Sequence, residues 1–388
     1  MEAEFNLPKS KTHYEFLLSK RQKVIMTHND LDGISCKLIA NMFLDTSGRY
    51  NFDQVYVNKW EHVYQNAKEL EQFIKENGVH KIGNNPFLME EKDYLITDLN
   101  VSLQTAKWID VLNRSKSGSK MWILDHHASG INLVKYPWCY IETQKQWSAT
   151  KLLYELYRSK VPYSQLATRY FTGEDKTLEI YVNAVNAYDT GDFGSELGKL
   201  GVMFNRALIE LGWKKYASIM QNALFDNHTS FNRVPGALET PELFMKQDED
   251  GNINASVIPY EIKEAAEERK EKDERRYQSM CKSSYTMENH NLGDPNYKID
   301  VIIGASFGND VNVHRYLIEH SDVDILATIN LVGGTCSLRT IKEEINVAGI
   351  ASKFGGGGHK NASAFTITPE AISVKSDKLG FDLKRKDD

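Results

Sequence analysis

Short apolar, β-rich runs alternate with stretches of helical spacing through the first half of the chain. This alternation restricts the fold more than any other feature. The runs are KVIMT at 23–27, QVYVN at 54–58, DYLIT at 93–97 and KMWIL at 120–124. Helical periodicity follows at about 34–43, at 103–113 (LQTAKWIDVLN) and at 148–159 (SATKLLYELYRS), where Ser148 is placed to cap the helix. Continuous apolar strands separated by helices predict an α/β fold whose mainly parallel sheet is flanked by helices.

The pattern changes further along. Residues 160–235 read as helical and aromatic, and KQDEDGNIN at 246–254 reads as a polar loop. The segment 259–280, PYEIKEAAEERKEKDERRYQSM, alternates charges of both signs. That favours a solvated helix linking two domains over a packed core helix. After a break at 288–296 the β-rich pattern returns at 298–304, 323–330 and 335–340, and a helix near 344–353 runs into FGGGGH. A chain of 388 residues is too long for one ordinary core. The expected division is an N-terminal domain at 1–255, a helical linker at 256–297 and a smaller C-terminal α/β domain at 298–388.

Composition removes several function classes. No apolar run is long enough to span a bilayer, and the first residues, MEAEFNLPKSKTHYEF, lack the plan of a signal peptide. Cys36, Cys139, Cys281 and Cys336 are scattered without a CxxC pair. This argues against a zinc ribbon or disulfide framework and fits a cytoplasmic protein. The net charge is −6, and the only basic cluster is the LKRKDD tail. A protein that tracks long nucleic acid carries a basic stripe, so no long duplex partner is expected and a polyanionic substrate would be small.

The polar residues that end the strands carry the chemistry. The first run leads into THNDLDG, with His28, Asp30 and Asp32; the third into TDLN, with Asp98; the fourth into Asp125, His126 and His127. NAYDTGDF adds Asp189 and Asp192. Ligands of parallel sheets bind at the carboxyl ends of strands. Alternation in an extended segment would let residues 28, 30 and 32 point the same way. Four carboxylates and two imidazoles brought together would repel without cations, and two divalent ions would offset about four negative charges. Mixed nitrogen and oxygen donors suit Mn²⁺, Fe²⁺, Zn²⁺ or Co²⁺. A paired site of this kind activates water and clamps the oxygens of a phosphoryl displacement. Any one cluster alone reads better as a turn; three at three strand ends do not.

A second feature is KFGGGGHKNASAF at 353–365. Gly355, Gly356, Gly357 and Gly358 let the backbone approach a ligand, and their amides can form an anion-binding nest beside His359 and Lys360. A bare glycine hinge is the plain alternative. No GxxxxGK[ST] is present, so this is no Walker A loop.

Together, HNDLDG, TDLN, LDHH, AYDTG and SLRT…AGIASKFGGGGH closely resemble the DHH phosphoesterases that carry a C-terminal DHHA1 domain, over roughly 20–195 and 298–366. Within them the chain looks most like the bacterial NrnB-type oligoribonucleases, or nanoRNases. The resemblance implies an N-terminal DHH domain, a helical linker and a DHHA1 domain. It implies that His28, Asp30 and Asp98 hold one metal and that Asp32, Asp98, His126 and Asp189 hold the second, with Asp98 bridging and Mn²⁺ as the expected ion. His127 would contact the scissile phosphate or assist proton transfer, with Asp125 orienting a histidine behind it. Arg339, the glycine run and His359 would grip a distal phosphate or nucleotide. The implied activity is degradation of very short RNA to mononucleotides. No membrane partner is expected, and the oligomeric state, with a homodimer among the options, is not fixed by the sequence. Cyclic nucleotide or cyclic dinucleotide phosphodiesterase and 3′-phosphoadenosine 5′-phosphate phosphatase remain alternatives on the same site. A different class is raised by GxSxG at 304–308, the spacing of a serine hydrolase elbow. A non-catalytic nucleotide-binding module is disfavoured, because no expected ligand position is missing.

Overall fold

The computed structural model describes residues 16, 22–45, 63–76, 92–114, 119–143, 145–160, 177–224, 246–247, 253–254, 258–287, 297–303, 310–367, 372–374 and 381–383. The chain divides into two units, Met1–Arg269 and Lys270–Asp388.

The first unit opens with β1 (Gln22–His28), α1 (Leu31–Asp45), β2 (Val63–Tyr64), α2 (Ala67–Ile74), β3 (Lys92–Thr97), α3 (Leu103–Arg114), β4 (Lys120–Asp125) and β5 (Cys139–Ile141). Four helices follow: α4 (Ala149–Lys160), α5 (Thr177–Asp189), α6 (Glu196–Leu211) and α7 (Trp213–Leu224). The five strands form one sheet in the order β2-β1-β3-β4-β5, with every neighbouring pair parallel. The expected parallel sheet is therefore present. Its strands read as continuous apolar runs because neither side is solvated: Val24, Ile25 and Met26, Leu95 and Ile96, and Ile123 and Leu124 are all buried. The strand order reverses between β1 and β3. Loops leaving the strands on either side of such a switch point diverge and leave a crevice at the carboxyl ends.

Helix α1 is buried on two sides. Cys36, Ile39 and Ala40 join the core that contains the strands. Leu31, Ile34 and Leu38 join a second core with residues of α5, α6 and α7. The periodicity predicts a start near residue 34, but the helix begins at Leu31. Asp30 is the cause: its side chain accepts from the Gly33 amide at 2.9 Å and its carbonyl from the Ile34 amide at 3.0 Å. The expectation that residues 28, 30 and 32 lie in one extended segment is thereby corrected. His28 ends a strand, Asp30 caps a helix, and Asp32 lies in that helix's first turn. Gly33 is required by close packing, since a Cβ there would stand 2.2 Å from the His28 carbonyl oxygen.

The segment expected as a polar loop carries a short antiparallel pair, β6 (Lys246–Gln247) and β7 (Ile253–Asn254). Helix α8 (Tyr260–Ser283) contains the division between units. It is not simply solvated, as its charges suggest. Ile262, Ala265 and Ala266 are buried in the first unit, and Tyr277 and Met280 in the second. Within each unit the buried positions lie three or four residues apart, 262 with 265 and 266, and 277 with 280, so a narrow stripe is packed while charges occupy the remaining surface.

The second unit contains β8 (Tyr285–Met287), β9 (Ile299–Ile303), α9 (Asp310–Glu319), β10 (Ile325–Asn330), β11 (Thr335–Arg339), α10 (Val347–Ser352), β12 (Gly357–Gly358) and β13 (Ala362–Thr366). They build a six-stranded sheet in the order β12-β13-β11-β10-β9-β8. Only β9 and β10 pair in parallel; the other neighbours are antiparallel. A separate pair, β14 (Ile372–Val374) and β15 (Phe381–Leu383), follows. The run at 54–58 and the GxSxG at 304–308 lie outside the described residues. Among the described residues no helix is long and apolar enough to cross a membrane.

Replacing Gly33 with Ala should cost about 1–3 kcal/mol of stability, the usual range for forcing extra volume into packed structure. Urea unfolding checks this; an unchanged midpoint would contradict the close approach.

Candidate metal centre

Five chain segments meet at the crevice. His28 ends β1, Asp30 and Asp32 open α1, Asp98 follows β3, Asp125 ends β4 with His126 and His127 after it, and Asp189 ends α5. His28, Asp30 and Asp98 form one group of possible ligand atoms within 4.8 Å of one another, and Asp32, His126 and Asp189 form another. Asp98 faces both. Its Oδ2 is 3.9 Å from His28 Nδ1, and its Oδ1 is 3.4 Å from His126 Nε2. The Asp98 backbone has a positive φ of 55°. Aspartate tolerates this left-handed region better than most residues, and such strain concentrates at functional sites.

Local structure places the remaining groups. The Asp32 oxygens accept the first amides of α4, from Ala149 at 2.7 Å and Thr150 at 2.9 Å. A carboxylate suits a helix N-terminus, so the starts of α1 and α4 are locked together. Ser148 caps α4 as expected, accepting from the Lys151 amide at 3.3 Å. The Ser148 amide in turn donates to Asn186 Oδ1 at 2.8 Å, which ties α4 to α5 one turn before Asp189. Asp189 Oδ2 lies 3.5 Å from His126 Nδ1. Asp192, the other acidic candidate in its motif, instead accepts from the Ser195 amide at 3.1 Å on the surface.

The LDHH residues separate by burial. Asp125 is fully buried, and its Oδ1 is 2.8 Å from Nδ1 of the half-exposed His127. His126 is buried among the carboxylates. Asn100, which sequence reasoning passed over, donates to Ser129 Oγ at 3.0 Å and lies 3.5 Å from Asp125 Oδ2. Its signal was its position in TDLN. Asn186 was legible only as a residue three before Asp189 on one helix.

The electrostatics test whether these residues suit cations. Asp98 Oδ2 and Asp189 Oδ2 are buried and accept no hydrogen bond among the described residues. Burial pushes Asp98 well above the usual carboxylate range, and the charges of Asp30, Asp32 and Asp189 push it further. Burial and then Asp32 and Asp30 do the same to Asp189. Burial also works against Asp30 and Asp125, but the imidazoles beside them prevail. His28 holds Asp30 far below its ordinary value, and His127 holds Asp125 down at about 2. The two histidines respond in kind: burial lowers each, and its carboxylate partner outweighs this and raises it. Two buried carboxylate oxygens without a donor among the described residues, beside imidazole nitrogens, belong to a donor set that divalent cations would complete.

The second unit gathers the other predicted residues by itself. Arg339 ends β11, opposite Ala362 on β13, and β12 pairs with the other edge of β13, with Gly358 opposite Ser363. The Arg339 guanidinium donates to the Leu338 carbonyl at 3.2 Å and the Ser363 carbonyl at 3.4 Å. The amides of Gly355, Gly356 and His359 donate to the carbonyls of Ser352, Ala351 and Ala362. Gly357 and Gly358 are in turn paired with Ala364 and Ser363 of β13, so the run does not present a nest of four free amides. A Cβ at Gly356 would lie 2.1 Å from the Ala364 carbonyl oxygen, so crossing β13 itself demands glycine there.

No protein-family model matches the chain. Among curated proteins it is 22% identical over 356 residues to oligoribonuclease NrnB of Bacillus subtilis, covering 90% of this chain and 74% of that protein. It is 28% identical over 182 residues to a 3′,5′-cyclic-nucleotide phosphodiesterase of Helicobacter pylori, covering 45% of this chain and 46% of that one. Among solved structures, RecJ of Thermus thermophilus with Mn²⁺ aligns over 93% of this chain and 52% of its own, at 13% identity and a TM-score of 0.47. The pGpG-specific phosphodiesterase PggH of Vibrio cholerae aligns over 90% and 94%, at 12% identity and a TM-score of 0.44.

Without metal, the raised carboxyls bind protons more tightly folded than unfolded. Their contribution to stability is present below the unfolded carboxylate range and is lost as pH rises. The raised His28 and His127 act in the same sense at higher pH, while the lowered Asp30 and Asp125 act oppositely and only in acid. Metal-free protein should thus lose melting temperature from about pH 5 towards neutrality. Asp98→Asn should regain about 1–3 kcal/mol of that loss, the range for relieving one unsatisfied buried group, yet gain little from added Mn²⁺. Thermal melts with and without Mn²⁺ at both pH values check this; equal stabilisation of both proteins by Mn²⁺ would contradict it.

Proposed function

We propose that the chain belongs to the DHH phosphoesterase superfamily and is a phosphodiester hydrolase, and that its substrate is very short RNA, cut to mononucleotides. One observation carries this reading: two groups of nitrogen and oxygen donors share Asp98 at the switch point of the sheet, in a chain similar over 90% of its length to an oligoribonuclease. The net charge of −6 supports a short substrate over a long duplex.

We assign catalysis to a DHH domain at 1–255, a linker to 256–297 and substrate binding to a DHHA1 domain at 298–388. His28, Asp30 and Asp98 would hold one cation, and Asp32, Asp98, His126 and Asp189 the other, with Mn²⁺ proposed from among the ions that suit mixed donors. Bound there, the pair would lower the pKa of water and offset charge on the phosphate. The protein's own groups supply orientation and proton transfer. Asp125 accepts from His127 Nδ1, which aims the half-exposed ring and favours its protonated form, whose Nε2 proton could pass to a departing oxygen. Buried Asp125 itself touches no substrate and fixes the ring behind it. In the second unit, Arg339, Gly355, Gly356, Gly357, Gly358 and His359 would bind another phosphate of the substrate. Four cysteines without a disulfide fit a cytoplasmic enzyme.

A second reading keeps the site and changes the substrate. The similarity to a 3′,5′-cyclic-nucleotide phosphodiesterase over 182 residues favours a cyclic nucleotide or cyclic dinucleotide. Turnover with Mn²⁺ should separate the two across dinucleotide to pentanucleotide RNA, RNA and DNA of about 24 nucleotides, cyclic mono- and dinucleotides and 3′-phosphoadenosine 5′-phosphate. The expected order places di- to pentanucleotide RNA first, with activity lost to a chelator. Asp98→Ala and His126→Ala should each reduce it by more than about 100-fold while circular dichroism stays unchanged. Intact short RNA under these conditions would exclude the first reading.

A further inference from the structure

We propose that α2 is a brace that decides which ring nitrogen of His28 faces the ligand cluster, with Asn66 and Glu69 as positioning residues acting through the Gln65 carbonyl. The inference rests on the metal-binding reading above and deepens it.

The His28 Nε2 atom lies 3.0 Å from the Gln65 carbonyl oxygen. A carbonyl oxygen only accepts, so Nε2 carries a proton and cannot at the same time ligate a metal. The lone pair must then belong to Nδ1. That atom lies on the cluster side, 2.6 Å from Asp30 Oδ2 and 3.9 Å from Asp98 Oδ2. Two lone-pair atoms at 2.6 Å need a proton or a cation between them. A carbonyl behind a ligating imidazole also fixes the ring's orientation and raises its basicity.

Gln65 is held on both sides. It follows β2, whose register sets Tyr64 opposite His28. Its amide donates to Glu69 Oε2 at 2.9 Å. The next residue, Asn66, caps α2 by accepting from the Glu69 amide at 3.1 Å. In the usual reciprocal cap the acidic side chain returns to the amide of the capping residue itself. Here it reaches one residue further back, to the residue whose carbonyl meets His28. The helix beneath is anchored by buried Leu70 and Ile74. Its Glu71 accepts from the amide of Ser102, in the loop that follows Asp98. One short helix therefore reaches both loops that flank the switch point. Asn66 and Glu69 are exposed and belong to neither ligand group.

The test uses the full chain. Calorimetric titration with Mn²⁺ should resolve two binding events in the wild type. Asn66→Ala and Glu69→Ala should each weaken one event by about 3–10-fold, below the usual effect of removing a direct partner of a metal-bound histidine, and leave the other within about twofold. Glu69→Gln keeps an acceptor and should restore wild-type affinity. Gln72→Ala, on the exposed side of the same helix, should change nothing. In ¹⁵N-histidine spectra of the Zn²⁺-loaded wild type, the His28 proton should sit on Nε2. Unchanged affinities in both Ala variants despite lower melting temperatures, or a His28 proton on Nδ1, would overturn the brace alone. A wild type that takes up no divalent ion would overturn the metal-binding reading and the brace with it.

Discussion

Like charges confined in one buried crevice repel, and the first unit is organised around holding them there. Asp30, Asp32, Asp98 and Asp189 meet at the carboxyl ends of the strands. In a poorly screened interior such repulsion exceeds what any single surface contact offsets. The protein answers it unevenly. Asp30 is matched by His28 and Asp125 by His127, each at hydrogen-bonding distance. Asp32 is matched by the amides of a helix N-terminus. Asp98 and Asp189 each keep one oxygen with no donor among the described residues. The unmatched part of the charge is the part that a cation would address.

The fold supplies the means. A parallel sheet with order β2-β1-β3-β4-β5 opens a crevice between β1 and β3, and donors from both strands fall at its edge. Helix α1 leaves that edge and runs between the sheet core and the helical core, buried on both sides. Such a helix cannot shift without disturbing two cores. Asp30 and Asp32 at its start are therefore positioned by packing well away from the chemistry. The bonds from Asp32 to α4, and from Ser148 to Asn186 on α5, carry that rigidity round to Asp189.

Sequence legibility followed length and periodicity. The long apolar runs became β1, β3 and β4 within about one residue at each end, because a strand buried on two sides leaves an unmistakable signature. Two-residue β2 and three-residue β5 carry too few positions for any period to show. The start of α1 was misplaced because Asp30 and Asp32 were weighed as ligands and not also as the groups that open a helix. In α8 the alternating charges hid a stripe of Ile262, Ala265, Tyr277 and Met280, since a one-in-four pattern of mixed large and small residues is weak against so many polar neighbours.

The residues alone determined the kind of donor and its place at the strand ends: carboxylates and imidazoles where a parallel sheet opens. That follows from local rules, as apolar runs must end where the chain turns, and turning residues there are polar. Only the tertiary structure decided which atom meets which. Asp189 and Asp192 are alike in sequence, but one ends a helix aimed at His126 and the other closes a surface turn. His126 and His127 are neighbours, but the backbone leaving β4 buries one and half exposes the other. His28 could offer either nitrogen until a carbonyl 37 residues away engages Nε2. These choices depend on contacts between segments far apart in the chain, and no spacing within one segment encodes them.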